Sequence, residues 1–188
     1  MKKIIFAAAM ALSALAASAQ GKFAHVNFNE IVVLTPEYET ASKQMDASAK
    51  EAQETYESMV QEAQAKFTEY QQKQSQWTPA IKESKEKELN DIQNRIQEFQ
   101  QSIQQELAEQ QSKLLSPIRQ KVRDEIEKIA KAGAYSFVFD DSQFFYVDKA
   151  TVKDLTADVK KSLGITKTIE EYQKEQEAKA QAEAQPAN

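Results

Sequence analysis

Residues 76–82 read QWTPAIK, and this short break separates two long stretches in which glycine and proline are almost absent. Thr78 has the side chain of an N-cap. Pro79 suits the first position of a helix and disfavours helical geometry in the residue before it. The segment therefore predicts the end of one helix, a tight reversal near residues 77–79, and the start of a second helix.

On the N-terminal side, apolar or small residues recur at Met45, Ala49, Ala52, Tyr56, Met59, Ala63, Phe67, Tyr70 and Trp77. The steps are mainly of three and four residues, the narrow seam of a helix that packs on one partner. The two four-residue steps from Met59 through Ala63 to Phe67 suggest a local stutter. Thr35 is suited to cap this helix and Pro36 to open it. On the C-terminal side, Leu89, Ile92, Ile96, Phe99, Ile103 and Leu107 form a cleaner seam, continued by Leu114, Ile118, Val122, Ile126 and Ile129 until Gly133 stops it. Pro117 predicts a kink within one helix, not two helices.

At 1.5 Å rise per residue the first helix is roughly 60 Å long, whereas a compact domain of this size has a radius of gyration of about 16 Å. The reading is a protruding helical hairpin. A globular bundle of several short helices would need more turn signals than the single Thr-Pro.

Strand signals flank the hairpin: KFAHVNF before it, then YSFVF and FFYVD separated by the turn-prone DDSQ. Alternation places Tyr135, Phe137 and Phe139 on one face and Val138 on the other. A short closing helix is expected from TVKDLTADVKKSLG. Thr151 and Asp154 resemble a capping box there, and Val152, Leu155, Val159 and Leu163 form an apolar face. The predicted organisation is a signal peptide (1–19), the first part of a β association domain (20–34), a helical arm (35–132), the second part of the association domain as a β-hairpin and short helix (133–165), and a flexible charged tail (166–188). A sheet this small with one short helix has too little core to anchor such long helices, so association is expected. Its candidate core is Phe23, Val26, Phe137, Val138, Phe139, Phe144, Phe145, Tyr146, Leu155 and Val159.

Composition narrows the function. The opening MKKIIFAAAMALSALAASAQ has two lysines, a short apolar run and a small-residue cleavage site, which is the pattern of a secretory signal peptide. Its removal after Ala19 takes the formal net charge from −5 to −7. The 188 residues include no cysteine, so neither disulfides nor thiolate metal sites are expected. The acidic balance offers no footprint for nucleic acid. With only Gly21, Gly133 and Gly164, the chain cannot build a phosphate-binding loop or a dinucleotide fingerprint. His25 reads as a structural strand residue, since one imidazole makes no multi-histidine metal site. Glu83, Glu86, Glu88 and Asp91 read as solvated helix charges. No nucleophile, base and oxyanion site assembles, and neither an enzyme nor a cofactor is expected.

Between Tyr70 and Lys82 the only charges are Lys73 and Lys82, so membrane contact at the arm tip is at most weak, and an ordinary solvated tip is the simpler reading. Tyr56, Met59, Phe67, Tyr70, Trp77 and Phe99 are candidate contacts for an unfolded chain, because a two-helix seam cannot bury every ring. Seam packing is the alternative for each of them.

The order of elements, with KFAHVNFNEIV at its start, resembles the OmpH/Skp family of periplasmic chaperones. Residues 147–163, VDKATVKDLTADVKKSL, resemble the family's closing pattern Asp-Val-Lys-Asp-Ile-Thr-Ala-Asp-Val. Val152, Lys153, Asp154, Thr156, Ala157, Asp158 and Val159 match it, Thr151 replaces the first Asp, and Leu155 replaces the Ile. FVFDDSQFFYV is similar to the family's strand, turn and strand. The resemblance covers roughly Lys22 to Leu163. It implies a mainly α fold with a small β-sheet, in which a long antiparallel coiled-coil arm projects from a small β domain that forms a shared barrel in a homotrimer. It also implies a periplasmic holdase that keeps unfolded outer-membrane proteins in a cavity between the arms without ATP. A non-enzymatic spacer or adaptor of the cell envelope, capturing a folded partner through the tip or tail, is the second reading.

Overall fold

A computed structural model describes residues 21–184; the predicted signal peptide lies outside them. In chain order the elements are β1 (Lys22–Val26), α1 (Phe28–Val33), α2 (Pro36–Lys73), a 3-10 turn (Gln74–Gln76), α3 (Pro79–Ala132), β2 (Tyr135–Asp140), a second 3-10 turn (Asp141–Gln143), β3 (Lys153–Asp154), α4 (Thr156–Ser162) and α5 (Ile169–Ala184). The fold is mainly helical with one three-stranded sheet. The described residues divide into two compact units, Thr40–Ser116 and the combination of 21–39 with 117–184.

The helix boundaries follow from capping. Thr35 Oγ1 accepts from Tyr38 N at 3.2 Å, which opens α2 at Pro36. Thr78 Oγ1 accepts from Ile81 N at 3.4 Å, which opens α3 at Pro79. α3 runs through Pro117 as one helix. It ends at Ala132, next to Gly133 as anticipated, but the left-handed residue is Ala134, with φ of 54°. Gly133 is needed for space, because a Cβ there would run into the Tyr135 ring.

In the Thr40–Ser116 unit, residue numbers rise along α2 as they fall along α3. Gln110 Nε2 donates to Ser48 Oγ at 2.8 Å, Arg95 lies 3.9 Å from Glu62, Lys66 Nζ lies 3.2 Å from Glu88, and Tyr70 donates to Glu86. The half-buried positions that make the α2 seam are Met45, Ser48, Ala52, Tyr56, Met59, Ala63, Lys66 and Tyr70. This corrects the sequence reading in two places: Ser48 replaces Ala49 on the seam, and Lys66 replaces Phe67. A step of three from Ala63 removes the expected stutter there, and the two successive four-residue steps fall instead at Ser48, Ala52 and Tyr56. Lys66 lays its aliphatic stem along the seam and carries its ammonium out to Glu62 and Glu88. Phe67 is turned outward, 46% exposed. On α3, Ile92 is fully enclosed at 2% exposure.

The other unit is organised by β1, which has β2 on one edge and β3 on the other, both parallel. Ala24 and Val26 point into the core with Ile31, Val32, Ile118, Val122, Leu155 and Val159. The expected first strand continued to Phe28, but Asn27 instead caps α1, its side chain accepting from Glu30 N at 3.0 Å. The expected β-hairpin is absent. Phe144–Val147 is not a strand, and the third strand is Lys153–Asp154. DDSQ lacks the positive-φ residues of a two-residue hairpin turn. Asp140 accepts from Ser142 N at 3.1 Å, and Asp141 is drawn to His25, so the chain winds into a 3-10 turn. The residues between β2 and β3 then form the crossover that parallel pairing requires. The closing helix also starts later than anticipated. Thr151 bonds back to Asp148 in a turn, while Asp154 accepts from Thr156 N at 2.8 Å and opens α4. The charged tail, expected to be mobile or partly helical, is helical over Ile169–Ala184, where Thr168 and Glu171 form a reciprocal capping box.

The seam assignment makes unequal predictions for two apolar residues. Ile92→Ala should cost about 2–5 kcal/mol by leaving a cavity, whereas Phe67→Ala should cost about 1 kcal/mol or less. Urea denaturation of both variants measures the difference.

Candidate functional site

Two apolar surfaces are candidates, one in each unit. In the sheet unit, register pairs Phe23 with Phe137 and His25 with Phe139. The rings of Phe23, Phe137 and Phe139 stack at centroid distances of 5.8 to 6.3 Å, and Phe144 sets its edge against Phe139 at 5.1 Å. This aromatic face is open to solvent in the single chain, with Phe137 58% exposed. Phe145 and Tyr146, beyond the 3-10 turn, are almost fully exposed. Burying one such side chain stabilises by about 1.5–3 kcal/mol, and soluble proteins seldom leave several adjacent ones uncovered.

The ten residues expected in an association core therefore fall into two sets. Val26, Leu155 and Val159 are already enclosed by their own chain, and Val138 is half-buried. Phe23, Phe137, Phe139, Phe144, Phe145 and Tyr146 form or adjoin the open face. The sequence could not separate the sets, because only the β1–β2 register and the early end of β2 decide which rings their own chain covers.

The end of this sheet is polar. His25 is buried, with Nδ1 2.5 Å from Asp141 Oδ1 and Nε2 without a hydrogen-bond partner. It is a structural strand residue, as read, but its link to Asp141 carries no sequence signal beyond the register. Nearby, a cleft of 510 Å³ is lined in part by Glu30, Asp141, Asp154, Lys160 and Lys161. Most of its charges are already committed: Lys160 lies 2.9 Å from Glu30, Asp141 is paired with His25, and Asp154 holds the start of α4. Among the described residues no three His, Cys, Asp or Glu side chains gather where a metal ion could sit. No helix there is long and apolar enough to cross a membrane.

On the helical unit, apolar exposure is scattered. Val60, Phe67 and Ile81 are each between 41% and 46% exposed. Tyr56, Met59, Tyr70, Trp77 and Phe99 are half-buried in or beside the seam, with Tyr70 and Trp77 in edge contact at 5.8 Å. Sequence reading named Phe67 but missed Val60 and Ile81, which lie off the seam and gave no periodic signal. Charges surround these positions in close pairs. Glu88 is held below the ordinary carboxylate range by hydrogen bonds from Lys85 and then Lys66. The helical unit thus presents separate apolar side chains in a charged surround, which suits many weak contacts better than a single pocket.

A three-stranded sheet unit with a solvent-open aromatic face and a two-helix unit define a mainly helical fold with a small sheet. The chain belongs to the OmpH/Skp family of outer membrane chaperones: the family described as outer membrane protein (OmpH-like) matches residues 22–163. It is 31% identical over 170 residues to the chaperone protein Skp of Yersinia enterocolitica, an alignment covering 87% of this chain and 99% of that protein. A crystal structure of an OmpH-like outer membrane chaperone from Caulobacter crescentus CB15 shares the fold, with a TM-score of 0.66 at 16% identity, covering 77% of this chain and 85% of that one.

The closing helix yields a pH prediction. Burial raises the Asp154 pKa, but hydrogen bonds from Thr156 outweigh it, and the net result lies below the ordinary value of 3.8. The bond from Thr156 N to the charged Asp154 therefore contributes fully above that value and is lost as pH falls through the depressed folded one. Asp154→Ala should cost about 1 kcal/mol near neutrality, and the gap from the parent should shrink toward pH 2. Thermal melts across that range measure it.

Proposed function

We propose that the protein is an ATP-independent periplasmic holdase that binds unfolded outer-membrane proteins between helical arms and prevents their aggregation. The observation that carries this reading is the scatter of exposed apolar residues, Val60, Phe67 and Ile81, over a charged two-helix unit of a chain in this chaperone family. Such contacts are individually weak. Several arms presenting them together retain a client by multivalency and leave it mobile enough to depart when insertion into the membrane is more favourable. The signal-like N-terminus supports export to the periplasm, and the absence of a phosphate-binding loop is consistent with operation without ATP.

In this reading α2 and α3 form an antiparallel arm, and the aromatic face of the sheet unit is covered in a homotrimer. Phe23, Phe137, Phe139 and Phe144 supply its contacts, with Phe145 and Tyr146 adjoining. The number three is taken from the family resemblance, while the need for a cover comes from the exposed rings. Phe67, Val60 and Ile81 are the foremost client contacts, ahead of the half-buried Tyr56, Met59, Tyr70, Trp77 and Phe99.

Dilution of a urea-denatured outer-membrane β-barrel tests the function. Stoichiometric assembled protein should suppress light scattering and keep the client in the supernatant; unchanged scattering and sedimentation would refute the holdase reading. The combined change of Val60, Phe67 and Ile81 to Ser should weaken suppression several-fold while leaving the urea midpoint nearly unchanged. For assembly, Phe137→Asp should shift the protein toward monomer in sedimentation velocity at low concentration. An intact oligomer would remove Phe137 from the interface.

A further inference from the structure

The C-terminal helix α5 lies beyond residues 22–163, the part matched by the family. Its first half is built to dock. Ile165, just before it, is buried, and Ile169, Tyr172 and Gln176 are half-buried along one face, whereas residues 177–182 are all exposed. The docked turns are also held internally. Thr168 N donates to Glu171 at 2.8 Å and Glu171 N donates back to Thr168 Oγ1 at 3.2 Å, while Lys167 pairs with Glu175 and lies 5.9 Å from the Tyr172 ring centre.

The target of this docking is specific. The Tyr172 ring meets Tyr38 edge-on, with centroids 6.4 Å apart and planes at 68°. Tyr38 lies in the first turn of α2, and its amide is the one that Thr35 caps. The neighbouring Glu37 is paired with Lys121 of α3, and that bond holds its carboxyl below the ordinary range. The start of α2 is thus gripped from α3 through Glu37 and from α5 through Tyr38, all within one compact unit.

We propose that α5 is a brace that keeps the first turn of α2 wound and seated. An edge-to-face aromatic pair gives a contact of useful strength without covering a large surface. Helix ends fray first, so one ring packed on the opening turn acts where the helix is weakest.

Hydrogen exchange without client tests the brace on three forms of the mature chain: the parent, a chain ending at Ile165, and Tyr172→Ala. Exchange of the amides from Tyr38 to Met45 should rise about two- to tenfold in both altered forms, the range that an aromatic pair supports. Amides of β1 and of Ile92–Phe99 should stay at parent rates. Unchanged exchange at Tyr38–Met45, or an equal rise across the whole chain, overturns the brace. If the shortened chain does not fold, Tyr172→Ala decides the matter.

Discussion

The parallel pairing of β1 with two other strands is the constraint on which the rest depends. Its five residues hold β2, more than a hundred residues later, on one edge and β3 on the other. Everything between Val26 and Tyr135 is therefore a single crossover, which contains both long helices. The same pairing uses both edges of β1, which leaves Phe144–Val147 without a place beside it.

That arrangement separates two kinds of apolar surface. Ala24 and Val26 lie inside with Val122, Leu155 and Val159, and form a dry core from one chain. The opposite face gathers the rings of Phe23, Phe137 and Phe139, which one chain leaves open. A concentrated aromatic face suits a permanent cover. The scattered Val60, Phe67 and Ile81 suit passing contacts, because no two supply enough buried area to hold a partner alone. The two surfaces thus set the same kind of residue in different geometries.

Much of the helical framework was legible from local chemistry. Thr35-Pro36 and Thr78-Pro79 each pair a capping hydroxyl with a residue preset for a helix start, and both helices begin there. Gly133 marked the end of α3, although the left-handed turn falls on Ala134 and the glycine makes room for Tyr135. The seam was legible to within one residue. It failed at Ser48 and Lys66 because a polar residue can occupy a seam when it finds a partner, Gln110 for the first and Glu62 with Glu88 for the second. Hydrophobicity alone cannot register such pairings.

The sequence by itself determined the helix starts, the break at residues 76–82, the mainly helical class and the family, because these depend on contacts within a few residues or on a matching order of residue types. Tertiary structure alone decided which apolar residues are spare. Phe67 and Phe99 look alike in the chain, yet Phe67 faces outward and Phe99 lies half-buried. FFYV reads as a strand, yet after the 3-10 turn at Asp141–Gln143 it pairs with no strand among the described residues. Exposure and pairing are properties of what surrounds a residue, and those surroundings come from segments far away in the chain.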